Sequence, residues 1–101
     1  MENEKNVQYS EKHMALAQFA KALSHPARLY IMEVLSKQDC CYSGDITKEI
    51  PIARSTLSQH LKELKLAGLI QGCIEPPKIK YCIHPQNWEL AKKYFTELFN
   101  P

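Results

Sequence analysis

Glycine is scarce in this chain, three residues in 101, and no hydrophobic run approaches the roughly 18 residues that a membrane-spanning helix needs. Gly44, Gly68 and Gly72 are too scattered to form a loop that cradles phosphates. No pair of carboxylates suggests a cleft for acid–base chemistry, and no histidine-rich set suggests metal catalysis, so no enzyme is expected. The formal net charge is only +2, which by itself names no partner. Met1 to Glu11 is polar with mixed charge and lacks the apolar stretch of a secretion signal, so a cytoplasmic location without membrane contact is the expectation. In that setting Cys40, Cys41, Cys73 and Cys82 read as thiols, ligands or redox groups rather than structural disulfides.

What is present is ordinary globular material, 45% hydrophobic and 24% charged, which predicts one domain over residues 1–101. A domain of this size buries only about two-thirds of its unfolded surface, so a further interface would help it. The positive charge is unevenly placed. Between Ala53 and Cys82 stand five basic residues, Arg54, Lys62, Lys65, Lys78 and Lys80, against Glu63 and Glu75, leaving the rest of the chain at −1.

The hydrophobic spacing predicts mainly helix. After a flexible start over 1–7, a first helix is expected over 7–23, with Leu16, Phe19, Ala20 and Leu23 on one face. Ser24 is the expected N-cap of a second helix that carries Pro26 in its first turn, runs to Ser36 and buries some of Leu29, Ile31, Met32 and Leu35. Ser43 suits the cap of a short third helix, Asp45 to Ile50, ended by Pro51. A fourth helix then follows from Ala53 to Ala67, with Gly68 where a left-handed residue is wanted. The period next changes. Leu69–Ile74 and Ile79–His84 read as two strands of a hairpin turning through Glu75–Lys78, a wing over 69–84. Asn87 is the expected cap of a last helix over 88–99. The fold class is therefore mainly α with a small β-hairpin, a dimeric winged helix-turn-helix in the order four helices, two strands, one helix, with the helix-turn-helix over 45–67.

The fourth helix carries the chemistry. At about 100° per residue, Leu57, Leu61 and Leu64 form an inner stripe, while Ser55, Gln59 and Lys62 point outward with Thr56 and Ser58 on the flanks. Small hydroxyl residues permit close approach to a DNA backbone, and Gln59 can bond an adenine edge in bidentate fashion. Arg54 suits either a phosphate or a guanine; Lys62, Lys78 and Lys80 suit phosphates, which set position rather than sequence. The expected partner is double-stranded DNA. His60 lies close to the leucine stripe and reads as packed or backbone-bonded, whereas His13, His25 and His84 are isolated and read as ordinary. The apolar residues of the terminal helices exceed what so small a core needs, so Leu16, Phe19, Leu23, Trp88, Ala91, Phe95 and Leu98 are expected to form a homodimer interface.

Ser24-His25-Pro26-Ala27-Arg28-Leu29, the run Ser55-Thr56-Leu57-Ser58-Gln59-His60-Leu61-Lys62-Glu63-Leu64, then Ala67-Gly68-Leu69-Ile70 and the strand Tyr81-Cys82-Ile83 together resemble the ArsR/SmtB family of winged-helix repressors. The resemblance covers nearly the whole chain. It implies a homodimer that blocks transcription at a roughly palindromic operator and leaves it when an inducer binds, commonly a metal or metalloid ion. No cofactor is required.

In arsenic-responsive relatives a Cys-x-Cys pair precedes the Asp that opens the helix before the reading helix. Here Cys41-Tyr42-Ser43-Gly44-Asp45 keeps one cysteine, puts serine at the other place and adds Cys40. Soft thiolates at Cys40 and Cys41 suit arsenite or a soft metal, with a third sulfur from Cys73 or Cys82 if the wing folds back or a partner chain contributes. The last helix has no histidine or aspartate, so the family's zinc site between C-terminal helices is not expected. Two other readings stay open. Cys73 and Cys82, expected nearly opposite each other in the hairpin, are a candidate redox pair, or each is a core residue. A winged helix can also serve as a protein-interaction module, although a polar outer face argues against that.

Overall fold

Three of the four described helices begin at a histidine-assisted cap. The computed structural model describes residues 7–37, 42–43, 50–74 and 80–101. Helix α1 spans Glu11–Ala22 and starts at Ser10, whose hydroxyl accepts the His13 N–H at 3.1 Å while His13 Nδ1 accepts the Ser10 N–H at 3.3 Å. That is a capping box with histidine in the usual Glu/Gln place. It sets the start of α1 four residues later than the expected Val7.

Helix α2 spans Pro26–Ser36. Pro26 fills the first helical position, where its fixed φ and missing N–H cost nothing, and so makes His25 the N-cap. His25 Nδ1 accepts the Ala27 N–H at 3.1 Å. Ser24, the expected cap, instead donates its hydroxyl to the Lys21 carbonyl at 2.7 Å and closes the end of α1. Ile31, Met32 and Leu35 are buried, while Leu29 is 53% exposed.

Strand β1, Tyr42–Ser43, pairs antiparallel with β3, Lys80–Ile83, and β2, Ile70–Cys73, pairs with its other edge. The wing is thus a three-stranded sheet in the order β1-β3-β2, one strand more than the hairpin expected, and Ser43 lies in that strand. The expected helix Asp45–Ile50 lies outside the described residues except for Ile50, which is buried.

Helix α3 spans Arg54–Leu66 and buries Leu57, His60, Leu61 and Leu64. It ends in a Schellman motif: the Leu69 N–H reaches the Leu64 carbonyl at 3.0 Å and the Gly68 N–H reaches Lys65 at 2.9 Å, with Gly68 at φ +83°. Gly72, at φ +112°, has no room for a side chain, since a Cβ there would fall 2.2 Å from the Lys80 carbonyl oxygen.

Helix α4 spans Pro85–Phe99, three residues earlier than expected, because Pro85 again takes the first position and makes His84 the cap. His84 Nδ1 accepts the Asn87 N–H at 3.2 Å. The Asn87 side chain, freed from capping, donates to the Gly68 carbonyl at 2.8 Å and ties α4 to the end of α3. α1 lies against α4, and Lys12 bridges to Glu97, which lowers that carboxyl's pKa. Ile31, Met32, Leu64, Leu69, Ile70 and Tyr81 are the most deeply buried side chains, each apolar one worth about 1.5–3 kcal/mol of burial. Helices on one side and a small twisted sheet on the other hold α3 on the surface between them. This is the winged helix-turn-helix arrangement.

Candidate nucleic-acid interface

The same leucines that fix α3 in the core decide what it presents outside. With Leu57, Leu61 and Leu64 turned inward, Arg54, Ser55, Thr56, Ser58, Gln59 and Lys62 are all exposed. Ser55, Ser58, Gln59, Lys62, Lys65 and Leu66 form one wall of a groove whose other wall is the start of the wing, Cys73 and Ile74. Two ammonium groups, three small or polar side chains and an open concave surface are brought together there. Lys80 is exposed on β3. Lys78 lies outside the described residues.

Gln59 is engaged rather than idle: its amide donates to Glu63 Oε1 at 3.3 Å, one helical turn on. A base edge must displace that bond. The start of α3 differs from those of the other described helices, because Ala53 is its N-cap and places no side-chain acceptor over the first turn. The first turn also holds no acid and begins with Arg54. Caps and acids stabilise a helix start, and a cation there works against the dipole. The sequence thus departs, at the start of α3, from what stabilises a helix.

His60 is 6% exposed, among the leucines, as its angular position predicts. Its partner is a side chain: Arg28 Nε donates to His60 Nδ1 at 3.0 Å. The His25 ring lies 4.4 Å away, centroid to centroid. Burial first, then His25 and Arg28, hold the His60 pKa below the ordinary histidine value. His25 is therefore part of a cluster, not the isolated group that the sequence suggested, while His13 completes the capping box of α1 and His84 caps α4.

Cys73 and Cys82 are not directly opposite each other in the wing. The register sets Cys73 opposite Lys80 and Cys82 opposite Gln71, so the two thiols are diagonal neighbours. Tyr81 points into the core from the other face, which leaves Gln71, Cys73, Lys80 and Cys82 together on the outer one. Cys73 is exposed and Cys82 half-buried, neither in a disulfide and neither in the core. Gln71 reaches Cys82 Sγ at 3.9 Å. Cys40 and Cys41 lie outside the described residues, and among the described residues no cluster of three or more His, Cys, Asp or Glu could hold a metal ion.

The terminal helices divide the expected interface set. Leu16, Phe19 and Ala91 are buried within the protomer itself. Leu23, Trp88 and Phe95, with Leu29, line an apolar groove between α1, α2 and α4, while Leu98 and Phe99 are 57% and 71% exposed at the end of α4. Among the described residues no helix is long and apolar enough to cross a membrane.

Residue order alone assigned Lys65, Cys73 and Ile74 no place in the α3 groove, and Arg28 none behind that helix. Lys65 carried a signal, being three residues beyond Lys62 on the same face. The others follow from strand register and tertiary contact, which no local pattern contains.

Residues 25–71 match the family described as bacterial regulatory protein, arsR family. The HTH-type transcriptional regulator YgaV of Escherichia coli (strain K12) is 36% identical over 67 residues, 66% of this chain and 68% of YgaV. The HTH-type transcriptional regulator CmtR of Mycobacterium tuberculosis (strain ATCC 25618 / H37Rv) is 31% identical over 72 residues, 71% of this chain and 60% of CmtR. The crystal structure of M. tuberculosis Rv0081 superposes with a TM-score of 0.61 at 29% identity, covering 90% of this chain and 95% of that one.

Proposed function

Because the chain belongs to the arsR family of bacterial regulatory proteins, a family of DNA-binding transcriptional regulators, we propose that it is a homodimeric repressor that leaves a palindromic operator when an inducer binds. The observation that carries this reading is the outer face of α3, where Arg54, Ser55, Thr56, Ser58, Gln59 and Lys62 are exposed together beside the wing. Gln59 reads a base edge, the hydroxyl residues allow close approach, and Lys62, Lys78 and Lys80 hold phosphates. The start of α3, without a side-chain cap, suits another phosphate. Two copies of α3 then enter successive major grooves about one DNA turn apart.

The groove between α1, α2 and α4, which Phe99 lines and Leu98 adjoins, supports a second copy of the chain as the partner on that side. The inducer is arsenite or a soft metal ion held by Cys40 and Cys41. The pairing of Tyr42 with Tyr81 supports Cys82, the residue after Tyr81, as the source of the third sulfur.

Fluorescence anisotropy on duplex DNA from upstream of the protein's own gene tests the whole reading, with arsenite, cadmium, zinc and an oxidant added separately. Two protomers should bind per duplex. Arsenite or cadmium should release them, and the Cys40→Ser, Cys41→Ser double variant should stay bound. Release by the oxidant alone would replace a ligand site with a thiol switch, and no sequence-specific binding would end the repressor reading.

A further inference from the structure

His60 is buried, 6% exposed, and it sits on the inner face of the helix whose outer face reads DNA. Its neighbours there, Leu57, Leu61 and Leu64, make apolar contacts, which are non-directional. A hydrogen bond is directional. Arg28 supplies that bond through Nε and, with its terminal nitrogen, donates to the Ala22 carbonyl at the end of α1 at 3.3 Å. One guanidinium thus connects the end of α1, the start of α2 and the middle of α3.

The geometry points to Arg28 as the positioning residue of α3, acting through unprotonated His60, so that a proton on His60 turns the reading helix out of register and weakens DNA binding. The tautomer is fixed by the partner: an arginine Nε is always a donor in this range, so His60 Nδ1 must accept and carries no hydrogen. A proton there would set N–H against N–H and put a second positive charge beside the guanidinium. His25 and Arg28 face His60 from the start of α2, while Lys21 of α1 and Glu63 of α3 line the cavity they share with Arg28. Gln59 immediately precedes His60 on α3, so any rotation that frees His60 also moves the side chain expected to read a base.

With its folded pKa held below the unfolded value of 6.5, His60 leaves stability intact above that pH, and stability falls as the pH drops from there through the folded pKa. DNA affinity, a property of the folded chain, should fall as the pH drops through the folded pKa. This sign is diagnostic, because protonating histidines elsewhere adds positive charge and by itself strengthens binding to phosphates.

The inference rests on α3 reading DNA. Its test is the dissociation constant of the full chain on its duplex between about pH 8 and about pH 5.5, with the imidazole of His60 followed by NMR in the same buffers. Wild type should weaken about tenfold on acidification, the scale of one hydrogen bond to a charged group, with a midpoint at the His60 titration. His60→Asn, which keeps an acceptor near the Nδ1 position and cannot titrate, should bind as wild type does at the upper pH and stay flat. His25→Asn, which keeps a capping side chain, should retain the wild-type slope.

A wild-type profile that stays flat through the His60 titration seen by NMR, or tightens in acid, overturns the inference, as does an affinity midpoint away from that titration or a slope that vanishes in His25→Asn instead. No binding by wild type at the upper pH overturns the DNA reading and this inference with it.

Discussion

α3 and α4 are both amphipathic helices that bury one stripe in the same core, yet what they leave outside is opposite. α3 exposes an arginine, three hydroxyl residues, an amide and two lysines, with Leu66 at its end. α4 exposes Leu98 and Phe99 beside the mixed charges of Glu89, Lys92, Lys93 and Glu97, and leaves Trp88 and Phe95 half-buried in an apolar groove. Their starts differ in the same sense. α4 has a proline in first position and a histidine cap, whereas α3 has Ala53, no side-chain cap and an arginine. One helix carries the devices that stabilise an end and offers an apolar face, which suits a protein partner. The other lacks those devices at its start and offers a polar, basic face, which suits an anionic one.

The contrast can be broken at several points. If α3 and the wing engage three or four phosphates per protomer, raising salt from about 50 to about 200 mM should cost the dimer about a thousandfold in affinity. Dimerisation through α4 should hardly change over that range, and equal salt sensitivity of the two would erase the distinction. Phe99→Glu should weaken the dimer about a hundredfold by sedimentation, the scale of a central contact, while leaving the thermal midpoint of the protomer near wild type. A dimer indifferent to it moves the interface elsewhere.

Gln59→Ala should cost about 1–3 kcal/mol on the preferred duplex and relax choice at one base position. Uniform loss on every sequence would make Gln59 a positioning contact. The smallest effect sharpens the comparison most: Ala53→Asp gives α3 the cap it lacks and should raise stability by about 1 kcal/mol, while weakening DNA binding through its charge. A gain in both would mean that the bare start of α3 serves nothing.

Much of this contrast was legible from residue order. The leucine spacing placed the two faces of α3, Gly68 marked its end, and the change of period after it marked the wing. What the sequence hid is instructive. Ser24 and Asn87 rank above histidine as caps, but His25-Pro26 and His84-Pro85 decide the matter, because a proline in first position makes the residue before it the cap. Once displaced, Ser24 and Asn87 bond elsewhere, closing α1 and joining α4 to Gly68.

The diagonal placement of Cys73 and Cys82 depends on register, which moves every partner when it shifts by a residue. β1 is two residues long and pairs with a strand far along the chain, so no local pattern announces it. The Arg28–His60 bond joins residues 32 apart. Phe19 and Ala91 looked available for a partner because helical spacing shows which residues share a face, not how much of that face the chain covers with its own helices.

The most direct measurement is an NMR titration of the isotope-labelled full chain with its duplex, following backbone amides. The account predicts that shifts concentrate in Arg54–Lys62 and in the strands of the wing, while Trp88–Phe99, already paired with a second protomer, stay in place. Shifts concentrated in α4, with α3 undisturbed, would contradict it.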